Sequence, residues 1–156
     1  MANLQRMSSK RLGEILAHSG LITGEQLEEA LVDQSKIHRP LGEILVDRGY
    51  VTERDVAEVI ATQFGLPYLS PSQYYTSTDA SKLLPVETLK KHRLVPIDKL
   101  GEVLVLVIAG PVDNEVLAEI ERQTGCTLEV YVGTTTDVNE AIEKIVEAQA
   151  RDVSEP

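Results

Sequence analysis

Apolar residues recur at three- and four-residue spacing through the first third of the chain. Leu12, Ile15 and Leu16 line one helical face, as do Leu27, Ala30 and Leu31, and the pattern returns at Leu41, Ile44 and Leu45, then Val56 and Ile60. Turn and cap signals divide these stretches. Gly20 and Gly49 stand where a helix C-terminus takes a left-handed residue. Thr23 with Gln26 has the form of a capping box, and Thr52 with Asp55 is a weaker version in which Asp replaces Glu or Gln. Pro40 suits the first turn of a helix, where a missing N–H costs nothing. The pattern predicts four short helices at about 9–19, 23–35, 40–49 and 52–64.

The hydrophobic pattern changes further along. GLPYLSPSQYYTST at 65–78 is rich in Pro, Ser and Tyr and reads as an ordered crossing segment. Asp79 to His92 predicts one or two short helices broken at Pro85, and LVPIDKL and EVLVLVIA form two strands of a hairpin around Gly101. Val112 to Gly125 is helical with Asp113 or Asn114 as its cap, 126–133 is a third strand, and a final amphipathic helix opens at Thr136 or Asp137 and runs to about Ala150. The expected class is α+β: four short helices in a tandem helix-turn-helix, then a small α/β portion with about three strands. The expected divisions are 1–66 for the helical repeat, 67–78 for the crossing segment, 79–150 for the α/β portion and 151–156 for a polar tail or linker.

Leu12 to Gln34 aligns with Leu41 to Gln63 at a constant offset of 29 residues, with nine of 23 positions identical. That is the signature of a duplicated structural unit. Two repeated features are not required by a plain helical bundle. Gly13 and Gly42 fall in a helix first turn, where Gly costs about 1 kcal/mol relative to Ala. Gln34 and Gln63 extend the apolar stripe that ends at Leu31 and Ile60, so an amide sits where a partner is needed. Helix crowding would account for the glycines and an interhelical hydrogen bond for the glutamines. A closely approaching ligand would account for both at once.

Composition narrows the functions available. The net charge is −10, but residues 1–50 carry six Lys/Arg against seven Asp/Glu, so −9 lies in the remainder. Such a chain is not built to bind nucleic acid or an anionic membrane surface, since both need a cationic face. A small anion is repelled least by the first third. No apolar run is long enough to span a bilayer, and the first residues lack the apolar centre of a signal peptide, so no membrane insertion and a cytoplasmic location are expected. The single Cys126 forms no intramolecular disulfide and reads as a small buried hydrophobe; with His18, His38 and His92 solitary, no metal site is expected.

Two copies of one motif match a ligand with two nucleotide halves. The first turns near Arg11 and Leu41 would offer N–H groups to phosphate oxygens, with Gly13 and Gly42 allowing close approach. Arg11 adds charge. Leu12, Leu16, Leu27 and Leu31, with Leu41, Leu45, Val56 and Ile60, would pack on base and ribose faces, and Gln34 and Gln63 would supply polar contacts.

The run RLGEIL at 11–16 with Gly20, Leu27, Leu31 and Gln34, a five-residue gap, then LGEIL at 41–45 with Gly49, Val56, Ile60 and Gln63, resembles the MshEN domain. The likeness continues through GLPYLS, LLPVETLKKHRLVPI and VIAGPVDNEVLAEI, over about residues 10–146. The resemblance implies the N-terminal region of type II secretion and type IV pilus ATPases, with cyclic di-GMP as ligand and an ATPase or inner-membrane component as partner. It carries site roles onto the residues above, Gly20 and Gly49 included. Two positions depart from it. Pro40 replaces the cation that Arg11 provides in the first copy, leaving Arg39 as the neighbouring substitute, and Gly110 stands where an Asp is expected before Pro111, leaving Asp113 as the nearest acid.

No Walker A, G-x-G-x-x-G, H-E-x-x-H or G-x-S-x-G pattern occurs, and Glu28, Glu29 and Glu58 fall on solvated helical faces. No catalytic residue or cofactor is expected. The expected function is a cyclic di-GMP binding regulatory domain; the alternative is a nucleotide-independent docking adaptor for a secretion or pilus membrane component.

Overall fold

The computed structural model describes residues 9–71, 78–110 and 112–154. Pro111 and residues 72–77 of the expected crossing segment lie outside them. The four expected repeat helices form as α1 (Ser9–His18), α2 (Gly24–Ile37), α3 (Leu41–Asp47) and α4 (Glu53–Phe64). Their ends are set by the residues that signalled them. Gly20 and Gly49 take φ of +83° and +77°, and the N–H groups of Leu21 and Tyr50 reach back to the carbonyls of Leu16 and Leu45 at 3.1 and 3.0 Å. Both capping boxes close: Thr23 and Gln26 exchange bonds of 2.9 and 3.1 Å, and Thr52 and Asp55 exchange two of 3.0 Å. The Asp version is therefore as complete as the Gln one. Pro40 is the N-cap of α3 rather than its first helical residue, and its carbonyl accepts from Glu43 and Ile44.

The two repeats close on each other through their glycines. A Cβ on Gly13 would overlap Leu27 Cδ1 and stand 3.0 Å from Leu41 Cδ2; a Cβ on Gly42 would stand 3.0 Å from Val56 Cγ1 and 3.9 Å from Leu12 Cδ2. At the 29-residue offset these neighbours are equivalent, 27 with 56 and 41 with 12, so the contact is reciprocal. Leu12, Leu16, Leu41, Ile44 and Leu45 are buried in consequence. Each such Leu contributes roughly 1.5–3 kcal/mol when fully buried. Arg48 of the second repeat pairs with Asp33 and Glu29 of α2, and the bond to Asp33, then that to Tyr50, raises its pKa above the ordinary arginine value.

After the repeat, the chain crosses to the sheet. The N–H of Leu69 donates to Val132 and that of Val132 donates to Pro67, both at 2.9 Å, so the crossing segment runs beside a strand. Two short helices follow, α5 (Thr78–Ser81) and α6 (Val86–His92), separated at Pro85, which caps α6. β1 (Leu94–Leu100) and β2 (Val103–Ile108) make the expected antiparallel hairpin around Gly101, and Pro96 is tolerated because β1 is an edge strand with a register shift beside it. α7 (Asn114–Thr124) then returns the chain so that β3 (Thr127–Val132) lies parallel to β2, giving sheet order β1-β2-β3. β2 reads VLVLVI and is buried almost throughout, as a central strand must be. α8 runs from Thr135 to Ser154, starting at the expected place but continuing past Ala150.

The fold is α+β, with eight helices and three strands among the described residues. One continuous core extends from Leu12 and Leu41 in the helical layer to Val132, Val138 and Ile145 behind the sheet. No helix among the described residues is long and apolar enough to cross a membrane.

The glycine packing is measurable. Gly13→Ala should lose about 1–3 kcal/mol in urea unfolding because the added methyl overpacks the repeat interface. Gly24→Ala, where nothing lies within 4 Å of the new carbon, should hold or gain about 0.4–1 kcal/mol.

Candidate functional site

β2 and β3 run parallel, so their carboxyl ends open on the same side, at Ala109–Gly110 and Gly133–Thr134. Clefts of α/β folds that take ligands form at such ends. Here the second repeat lies over them. A cleft of about 480 Å³ is enclosed between α3, α4 and the strand ends, with Gly42, Val56, Ala57 and Ile60 on one wall and Ala109, Gly110, Gly133, Thr134 and Asn139 on the other. That volume is within the roughly 300–1,000 Å³ of small-molecule sites.

Gly133 makes the far wall possible. A Cβ there would stand 2.9 Å from Val107 Cγ1 and 3.0 Å from the Leu69 carbonyl, so only glycine lets the crossing segment lie against the strand end. Thr134 then caps α8 by accepting from the Asp137 N–H at 3.1 Å. The next free-standing donor of that helix end is met from across the cleft: Glu53 of α4 accepts from the Thr136 N–H at 2.9 Å and from Thr136 Oγ1 at 2.6 Å. A carboxylate at a helix N-terminus is stabilised by the aligned peptide dipoles. Glu53 thus joins the helical layer to α8.

The cleft contains two arginines and both face carboxylates of α3. Arg39, just before α3, bonds Asp47 at 2.5 Å, and Arg93, at the junction of α6 and β1, bonds Glu43 at 2.6 Å. Arg93 and His38, which precedes Arg39, are the two non-glycine residues with positive φ among the described residues, both at 52°. Each ends a helix, α2 and α6 respectively, in a left-handed C-cap turn.

Of the residues expected to bind ligand, Leu12, Arg39, Gly42, Val56 and Ile60 are brought together on this cleft. The others are placed elsewhere. Gly13, Leu16, Leu41 and Leu45 are buried within the repeat, and Leu27 and Leu31 are half-buried against it. Gln34 donates to the Arg39 carbonyl at 3.0 Å, tying α2 to the residue that enters the cleft, while Gln63 is exposed on α4. Arg11 is exposed on α1, Gly20 and Gly49 end α1 and α3 at the surface, and Asp113 is the exposed N-cap of α7, away from the cleft. Sequence reasoning missed Glu43, Glu53, Arg93, Gly133 and Thr134 to Thr136. The one signal in the sequence was the Gly-Thr-Thr-Thr run after the third strand, a glycine turn followed by helix-cap residues.

The model of the MshEN domain family matches residues 64–152, the portion that carries the sheet, the far wall and α8. The chain belongs to the MshEN domain family. The match begins after the tandem repeat, so it covers less than the 10–146 read from the residues. Solved structures extend the likeness over the repeat. The structure of MshE with cdg, cyclic di-GMP, covers 86% of this chain and 98% of its own at 26% identity and a TM-score of 0.72. The N-terminal domain of XpsE covers 90% of this chain and 98% of its own at 25% identity and a TM-score of 0.69. The type IV pilus assembly ATPase PilB of Myxococcus xanthus is 30% identical over 136 residues, 87% of this chain, and PilB of Thermus thermophilus is 32% identical over 130 residues, 82% of it. This MshEN chain spans 24% and 15% of those two proteins.

The link between the layers gives a direct test. Glu53→Ala removes an acceptor from the α8 N-terminus and should cost about 1 kcal/mol in thermal unfolding. Glu58→Ala on the outer face of the same helix should change stability by less than about 0.5 kcal/mol.

Proposed function

We propose that this chain is a non-catalytic regulatory module that binds cyclic di-GMP in the cleft between its second repeat and the parallel strand ends, and passes occupancy to a secretion or pilus ATPase. The observation that carries the reading is the cleft itself, which gathers Leu12, Arg39, Gly42, Val56 and Ile60 from the motif against Gly110 and Thr134. Its walls supply what a cyclic dinucleotide requires: aliphatic faces for the bases, arginine forks for the phosphodiesters, and a helix end with a dipole favouring anions. The family membership and the likeness to MshE, whose structure holds cyclic di-GMP, support the same ligand. A ligand wedged between the layers would bias how they pack, because it touches both. Arg11 and Gln34 extend the site along the first repeat in this reading, and a cytoplasmic location follows from the ligand.

A second reading, a nucleotide-independent docking adaptor, is favoured by the glycine crowding and by the Gln34 bond, which account for the doubled motif without a ligand. Titration calorimetry separates the two. Cyclic di-GMP at sub-millimolar protein should give saturable heat, and Arg39→Ala should weaken binding about tenfold, the effect of losing about 1.4 kcal/mol of charge-assisted contact. Absence of heat, together with nucleotide-insensitive capture of a pilus or secretion membrane component, would favour the adaptor.

A further inference from the structure

Arg93 is not part of the duplicated motif, and it lies 50 residues from the acid it meets, Glu43 of α3. Its backbone carbonyl accepts from the Ala109 N–H at 2.9 Å, which fixes it beside Gly110 at the end of β2. Gly110 brings no side chain to this corner, and a Cβ placed there would meet nothing within 4 Å. Pro40, the second repeat's counterpart of Arg11, lines the same cleft without a charge. The Arg93 side chain is 41% exposed and that of Glu43 21%, and both line the cleft. Arg93 also holds φ of 52° at the C-cap of α6, a conformation that is strained for a non-glycine residue and that recurs at ligand clamps.

The two arginines form a set. Glu43 and Asp47 are one turn apart on α3, and each holds one cleft arginine, Arg93 and Arg39 respectively. A ligand carrying two phosphodiester charges would meet two cations, each already engaged by an internal carboxylate. Resting on the function proposed above, we infer that Arg93 is the cation of the second half-site, replacing the charge missing at Pro40, and that Glu43 occupies it as an internal competitor that a ligand phosphate displaces. The planar fork of arginine suits both oxyanions in the same geometry, so exchange needs only a swing of the side chain. Every ligand-bound molecule then gives up the Glu43 contact, and the apparent affinity is the intrinsic one multiplied by the fraction of molecules in which that contact is open.

This competition predicts opposite effects from the two partners of one ion pair. Calorimetry with cyclic di-GMP on the whole chain should show Arg93→Ala binding about tenfold more weakly, Arg93→Lys recovering part of the loss, and Glu43→Gln binding severalfold more tightly. The dependence of log affinity on log salt should flatten in Arg93→Ala. Thermal unfolding of each variant establishes that it is folded. If Arg93 served only to clamp the layers, both Arg93→Ala and Glu43→Gln would lower stability and neither would tighten binding; that result overturns the inference while leaving the cleft as the ligand site. If the wild-type chain gives no heat, the functional reading falls and this one with it.

Discussion

The structure depends on two missing side chains. Gly13 and Gly42 stand where a Cβ would strike the second helix of their own repeat and approach the leucine that precedes the other glycine. The contact is reciprocal, so neither repeat can close without the other. Close approach lets Leu12, Leu16, Leu41 and Leu45 be buried in helices of ten and seven residues, which are too short to be stable alone. The local cost of two helical glycines is offset by that burial. The same closeness sets α3 against α4 through Gly42 and Val56, and the cleft lies between that pair and the strand ends.

What the cleft can do follows from how its charges are arranged. The start of α8 offers N–H groups and a positive dipole end, and the helical layer answers with Glu53. Arginine forks enter from two sides, and α3 answers with Asp47 and Glu43. The site is therefore electrostatically complete before any ligand arrives. Anionic side chains sit on cationic positions, and two of those contacts, Glu53 with Thr136 and Glu43 with Arg93, also join the layers. Binding an anion in such a site and altering the attachment of the layers are one event, which is the physical requirement for a module that reports occupancy to something else.

The elements whose cause is local were legible in the residues. Helix ends at Gly20 and Gly49, boxes at Thr23 and Thr52, the hairpin at Gly101 and the start of α8 all rest on groups within five positions of one another. The Asp box proved as complete as the Gln box because Asp55 Oδ2 reaches the Thr52 N–H at the same distance as the return bond. Gly13 and Gly42 stand out in the sequence as glycines in helix first turns, a feature that crowding and ligand approach fit equally. Crowding explains the packing of both, and only Gly42 also lines the cleft. What could not be read was distant pairing. Glu53 meets Thr136 across 83 positions and Arg93 meets Glu43 across 50, and no periodicity marks either. The parallel pairing of β2 with β3, which creates the cleft floor, is equally silent in a hydrophobic pattern that reads the same for either direction.

The central claim is that one ligand touches both layers at once. Amide NMR of the labelled chain titrated with cyclic di-GMP tests it most directly, because glycines mark each wall. The account predicts that Gly42 of α3 and Gly110 and Gly133 at the strand ends shift together with one affinity, while Gly24, Gly101 and Gly125 stay in place. Shifts confined to α1 and α2, with Gly110 and Gly133 unmoved at saturation, would contradict it.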